Sequence, residues 1–84
     1  MDSQREVAAQ REVGAAFRRA RIRSGLTQEE VATLMGVTQP WVSKIEQSAR
    51  RLAVTEAWQL AEILDVDLEE IKDAYLRKME SNEG

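Results

Sequence analysis

Thr27-Gln28 and Thr38-Gln39 repeat one dipeptide eleven positions apart in the run LTQEEVATLMGVTQPWVSKIE. A threonine hydroxyl accepts from a free amide at a helix start, and a glutamine amide both donates and accepts. Glu30 stands three residues after Thr27, the spacing of a capping box. Pro40 follows Thr38 within one turn, where a missing N–H costs least. Both threonines are therefore expected to cap helices, with each glutamine as the first residue inside. Two such helix starts present unpaired amides and a partial positive charge, which suits an anion.

Other chemistry finds little support. The chain has no Cys and no His, which removes thiolate and imidazole metal ligands, disulfides and the usual general base at neutral pH. The acids Asp65, Asp67, Glu69 and Glu70 suggest a metal site, but helix capping and a turn account for them better. There is no acid–base–nucleophile set, no GxGxxG and no phosphate-cradling glycine loop. An enzyme is not expected, nor a metal, a cofactor or a small-molecule ligand.

The elements that must hold the two Thr-Gln pairs read as helices throughout. The 84 residues contain one Pro, four Gly and few aromatics, with no alternating β-branched run. That length favours one domain with one small core. Helix one is expected within residues 4–24, with Val13, Ala16, Phe17 and Ala20 inward. Helix two starts after Thr27, carries Val31, Leu34 and Met35 as its apolar stripe, and ends at Gly36. Helix three starts after Thr38, with Val42 and Ile45 inward. Helix four spans about residues 54–64 with Ala57, Leu60, Ala61 and Leu64 inside, and Trp58 is assigned to the core in preference to an apolar protein-binding surface shared with Leu76 and Met79. Asp67 and Glu70 form a second capping box, opening helix five toward residue 79. Its apolar positions are Leu68, Ile71, Tyr75 and Met79, and the tail ESNEG reads as disordered.

The net charge of −3 hides an asymmetry. Residues 1–51 carry nine Lys/Arg against six Asp/Glu, while residues 52–84 carry three against nine. A local basic face serves a polyanion even in an acidic chain, because screening acts over about 10 Å. The N-terminus lacks the apolar core of a signal peptide, and no apolar run nears the roughly 20 residues that span a bilayer. A soluble cytoplasmic protein with no membrane partner is expected.

Helices two and three are joined by little more than Gly36-Val37 and a cap, the spacing of a helix-turn-helix. Ala32 is small where the two helices approach, and Val42 packs back. In this frame Gln39 enters the DNA major groove, where glutamine pairs with adenine through two hydrogen bonds. Gln28 sits at the backbone and braces Gln39 through an amide–amide bond.

The run VGAAFRRARIRSGLTQEEVATLMGVTQPWVSKIEQ resembles the phage Cro/repressor-type (XRE-like) helix-turn-helix family over roughly residues 13–71. The segments GLTQEEVA, MGVTQ and VSKIE fall in order at the family's spacing. The resemblance implies an all-α, lambda-repressor-like five-helix bundle: an extension at 1–12 within or beside helix one, a DNA-binding domain at 13–72, and the end of helix five with its tail at 73–84. It implies DNA contacts at Gln28 and Gln39, an Arg18–Glu46 bridge, and homodimers on two-fold DNA sites that regulate transcription. Ser48 replaces the family's common Gly, Leu52 its Pro and Ala53 its capping Ser or Asp, so the departures concentrate at 47–53.

Thr27, Gln28, Thr38, Gln39, Pro40, Trp41, Ser43, Lys44, Gln47, Arg50 and Arg51 are the candidate DNA contacts. Pro40 offers its ring to a thymine methyl, and Lys44 reaches a base or a phosphate. Trp41 either covers the edge of the core or donates its indole N–H to a phosphate. Arg51 either meets a phosphate or bridges to Glu56. Arg21 and Arg23 read as a solvated basic face. Ala74, Tyr75, Leu76 and Met79 offer an apolar surface for a homodimer, placed away from helix three. The expected partner is double-stranded DNA carrying an inverted repeat. The competing possibility is an antitoxin or adaptor module that uses this fold mainly to bind protein.

Overall fold

The computed structural model describes residues 3–80, and within them every regular element is a helix. These are α1 (Ser3–Arg23), α2 (Gln28–Met35), α3 (Gln39–Glu46), α4 (Val54–Ile63) and α5 (Leu68–Glu80). The disorder expected for the tail falls mostly on residues 81–84, which lie outside the described residues; Glu80 still belongs to α5. No helix is long and apolar enough to cross a membrane among the described residues.

The core forms where the apolar stripes converge. Phe17 and Val31 are its largest fully buried side chains, joined by Ala16, Ala20, Val42, Ile45, Leu60, Leu64 and Ile71. α1 and α5 pack along each other, and α2 lies against both α3 and α4. Residues 3–12 of the expected extension form the first half of α1 itself, with Ala9 fully buried; residues 1 and 2 lie outside the described residues. At about 1.5 Å per residue the 21 residues of α1 reach roughly 31 Å. That accounts for much of the molecule's 41 Å length over a 21 × 20 Å section.

Three apolar assignments change. Leu34 is 60% exposed, while Ala32 is buried in its stead. Wedged between α3 and α4, α2 buries the arc from Val31 through Met35 to Ala32, about 100° wide, and Leu34 lies about 60° outside it. Trp58 is 57% exposed and not core, because it lies across α4 from Leu60 and Leu64. Ala74 is buried against α1, so it cannot belong to an interface between copies. The length of α1 is the cause: its first half covers the face of α5 that a shorter helix would leave bare.

The caps follow the sequence closely at α2 and less so later. The second capping box is half made: Asp67 Oδ1 accepts from Glu69 N at 3.0 Å, but Glu70 turns to Arg23 at 3.3 Å. Ala53 has no side chain with which to cap α4, and Glu56 supplies the return bond to Ala53 N at 2.9 Å. That occupies the carboxylate to which Arg51 is an alternative partner.

Gly14 marks a close approach of α1 to the end of α3. A methyl group there would lie 2.6 Å from the carbonyl oxygens of Ile45 and Glu46 and 2.8 Å from Ser48 Oγ. Backbone must then move, so Gly14→Ala is expected to lose about 1–3 kcal/mol of stability by overpacking. This outweighs the roughly 0.5–1 kcal/mol by which alanine favours a helix. Urea unfolding measures the sum; a Gly14→Ala protein more stable than the parent would contradict the close packing.

Candidate nucleic-acid interface

The two Thr-Gln pairs form the N-terminal edges of α2 and α3. Thr27 Oγ1 accepts from Glu30 N at 3.0 Å while Glu30 accepts from Thr27 N at 2.8 Å, completing a capping box. α2 ends at Gly36, whose φ of 76° is the left-handed conformation that glycine adopts without a Cβ clash. Thr38 then caps α3 through Trp41 N, with Pro40 in the first turn.

A chain of hydrogen bonds runs from the interior to this edge. Arg21 Nε donates to Glu46 Oε2 at 2.6 Å and Arg21 Nη2 to Oε1 at 3.2 Å. Gln28 Nε2 donates to Glu46 Oε1 at 3.0 Å, and Gln39 Nε2 donates to Gln28 Oε1 at 2.6 Å. The direction is fixed at its origin. A carboxylate only accepts, so Gln28 turns its NH2 to Glu46 and its oxygen to Gln39. Gln39 is left with a free oxygen and one free N–H. Those are the acceptor and donor that adenine's major-groove edge requires.

The glutamate's partner is therefore Arg21, not Arg18. Arg18 follows Phe17 and sits about 100° around the helix from it, exposed to solvent; Arg21, four residues after Phe17, lies within about 40° of the buried face. The Arg21 side chain is only 13% exposed and that of Glu46 6%. Arg21 also donates to the carbonyl of Leu26 at 2.9 Å, tying down the α1–α2 turn. Arg23 stays on the surface, paired with Glu70.

The remaining candidates line the outer face of α3 and the loop after it. Lys44 and Pro40 are exposed, and Gln47 Nε2 donates to Ser43 Oγ at 3.0 Å. Trp41 is half-buried against the core and carries the Arg50 guanidinium 5.1 Å above its ring. Arg51 is exposed. The residue in place of the family's glycine, Ser48, takes a left-handed φ of 55° and donates its hydroxyl to the carbonyl of Gln10 at 2.8 Å. The loop thus keeps the turn and gains a tether to α1. On the far side Tyr75 and Met79 are half-covered, and Leu76 is the exposed remainder of the apolar set on α5. The acids at 65–70 sit in turns, caps and surface pairs: Asp65 takes a left-handed turn conformation, and Glu69 pairs with Lys72.

Comparison with known proteins agrees with this geometry. Residues 12–74 match the helix-turn-helix domain family. An uncharacterized HTH-type transcriptional regulator, y4dJ of Sinorhizobium fredii, is 41% identical over 54 residues, covering 64% of this chain and 70% of that protein. Among solved structures, the restriction-modification controller protein C.AhdI from Aeromonas hydrophila superposes with a TM-score of 0.66 at 30% identity, over 70% of this chain and 86% of that one. The clp gene regulator ClgR from Corynebacterium glutamicum superposes with a TM-score of 0.77 over 84% of this chain and 91% of its own; at 20% identity that likeness concerns the fold.

Proposed function

The chain belongs to the Cro/repressor-type helix-turn-helix family of DNA-binding transcriptional regulators, and from that premise we propose that it binds double-stranded DNA sequence-specifically, as a homodimer on an inverted repeat, in the cytoplasm. The observation that carries this is the relay ending at Gln39. A glutamine that merely faced solvent would gain nothing from a partner oriented by a buried ion pair. Here the amide is held at the start of α3 with one donor and one acceptor left over. Base contacts of this kind specify, and Lys44, Arg50 and Arg51 position the protein through phosphates.

Gln39→Ala is expected to cost about 1–3 kcal/mol on the preferred site and to relax preference at one position of each half-site. Competition titrations with single-base variants of the site measure it; an unchanged ranking of those variants would remove the base-reading role.

One recognition helix reads few base pairs, so two copies are required, with their helices about 34 Å apart. Burial of Ala74 and half-burial of Tyr75 and Met79 leave little of α5 for pairing. Val54 and Trp58 lie one turn apart on α4 and are 60% and 57% exposed. We assign the pairing surface there. The antitoxin or adaptor alternative draws on the same exposed apolar residues. Binding to duplex DNA followed by fluorescence anisotropy from about 50 to 200 mM salt separates the two. A DNA-binding dimer loses affinity steeply, by about 10³-fold or more if six or more phosphates are contacted. Absence of duplex binding at the low-salt end would favour the protein-binding module.

A further inference from the structure

We propose that the groove between the first half of α1 and the α3–α4 loop is a further binding site for DNA backbone phosphate, with Arg11 as its outer cation, resting on the DNA-binding proposal above. The groove is lined by Glu6, Gln10 and Arg11 on one side and Gln47, Arg50 and Arg51 on the other. Among the described residues, three arginines and one glutamate thus line it. Arg11 is exposed and has no hydrogen bond or ion pair among the described residues. It also precedes the stretch that matches the helix-turn-helix family, which begins at residue 12.

Position makes this groove part of the DNA surface. α3 has eight residues, a length of about 12 Å, which is also the approximate width of the major groove. With Gln39 at the base edges, the C-terminal end of α3 comes to the wall of the groove, where a phosphate strand runs. The arginine groove opens there, at Gln47. Its two sides are held in fixed register by the Ser48–Gln10 hydrogen bond and by the backbone approach at Gly14. Stacking on Trp41 already holds the Arg50 guanidinium, which therefore loses less entropy on binding a phosphate. The first half of α1 therefore extends the electrostatic footprint beyond the helix-turn-helix.

The test compares the parent protein, Arg11→Ala, Arg11→Lys and Lys72→Ala on one operator duplex and one unrelated duplex, across a salt series. Lys72→Ala removes the same charge from a pair on α5 and controls for net charge. Arg11→Ala should weaken both duplexes by the same factor. It should lower the slope of log K against log salt by about 0.9 for each phosphate that is no longer neutralised. Arg11→Lys should keep most of the slope, and Lys72→Ala all of it. Ethylation of one phosphate per half-site should impair the parent and not Arg11→Ala. An unchanged slope in Arg11→Ala, or equal slopes in Arg11→Ala and Lys72→Ala, would overturn the phosphate site while leaving DNA binding intact. Failure of the parent to bind either duplex would overturn the DNA-binding proposal itself.

Discussion

Arg21→Ala and Glu46→Ala are each expected to lower the free energy of unfolding by about 3–5 kcal/mol, whereas Arg18→Ala changes it by about 0.5 kcal/mol or less. Glu46 accepts from two nitrogens of Arg21 and from Gln28, and Arg21 also holds the carbonyl of Leu26. Removing either partner leaves a charge enclosed with its desolvation uncompensated. Against a total stability of roughly 5–15 kcal/mol for a small domain, that is a large share. Replacing both partners together, as Arg21→Met with Glu46→Leu, should cost much less than the two single losses combined, because no orphan charge remains. Chemical denaturation of the parent, Arg21→Met, Glu46→Leu and the double variant closes the cycle. Zero coupling between positions 21 and 46, or an Arg18 variant as unstable as the Arg21 variant, would contradict the pairing.

Trp58→Glu is expected to convert the dimer to a monomer and to lower discrimination for the operator by roughly 30- to 3,000-fold. The magnitude follows from two half-sites contributing equally on a logarithmic scale. Specific over non-specific binding typically spans about 10³ to 10⁷, and one half-site retains about its square root. Trp58 is mostly solvent-exposed in the single copy, so the substitution spares the core. Leu76→Glu is the comparison, since Leu76 is the exposed residue of the apolar set first expected on α5. Analytical ultracentrifugation at micromolar concentration reads the masses. A Trp58→Glu dimer, or a monomer produced by Leu76→Glu alone, would return the interface to α5.

The helix-turn-helix was legible because its signals are local. Thr27 with Glu30, Gly36, and Thr38 with Pro40 each specify a cap or a turn within four residues, and the structure keeps all three. The Gln28–Gln39 bond was legible too, because both residues occupy the same position relative to adjacent caps. What the sequence concealed depends on rotation about helix axes. Arg18, Arg19 and Arg21 crowd one segment of α1, and only the phase set by Phe17 tells which faces Glu46. Leu34 and Trp58 look like core by hydrophobicity and lie on the outer side by phase. Ala74 was misplaced because burial on α5 depends on how far α1 runs toward the N-terminus. Gly14 in a helix carries no local signal that a neighbouring backbone lies against it. The groove at Arg11 needs the α3–α4 loop folded back onto α1, which joins residues far apart in the chain.

The most direct test of sequence-specific recognition by α3 is selection of duplexes from a random pool, run in parallel with the parent protein and Gln39→Ala. The parent should enrich one inverted repeat whose half-sites are centred about one helical turn, or a whole number of turns, apart. The Gln39→Ala pool should keep the repeat and its spacing but lose preference at one position in each half-site, an adenine if the amide pairs as its free donor and acceptor allow. A parent pool with no enriched sequence, or two pools with identical preferences, would contradict the account.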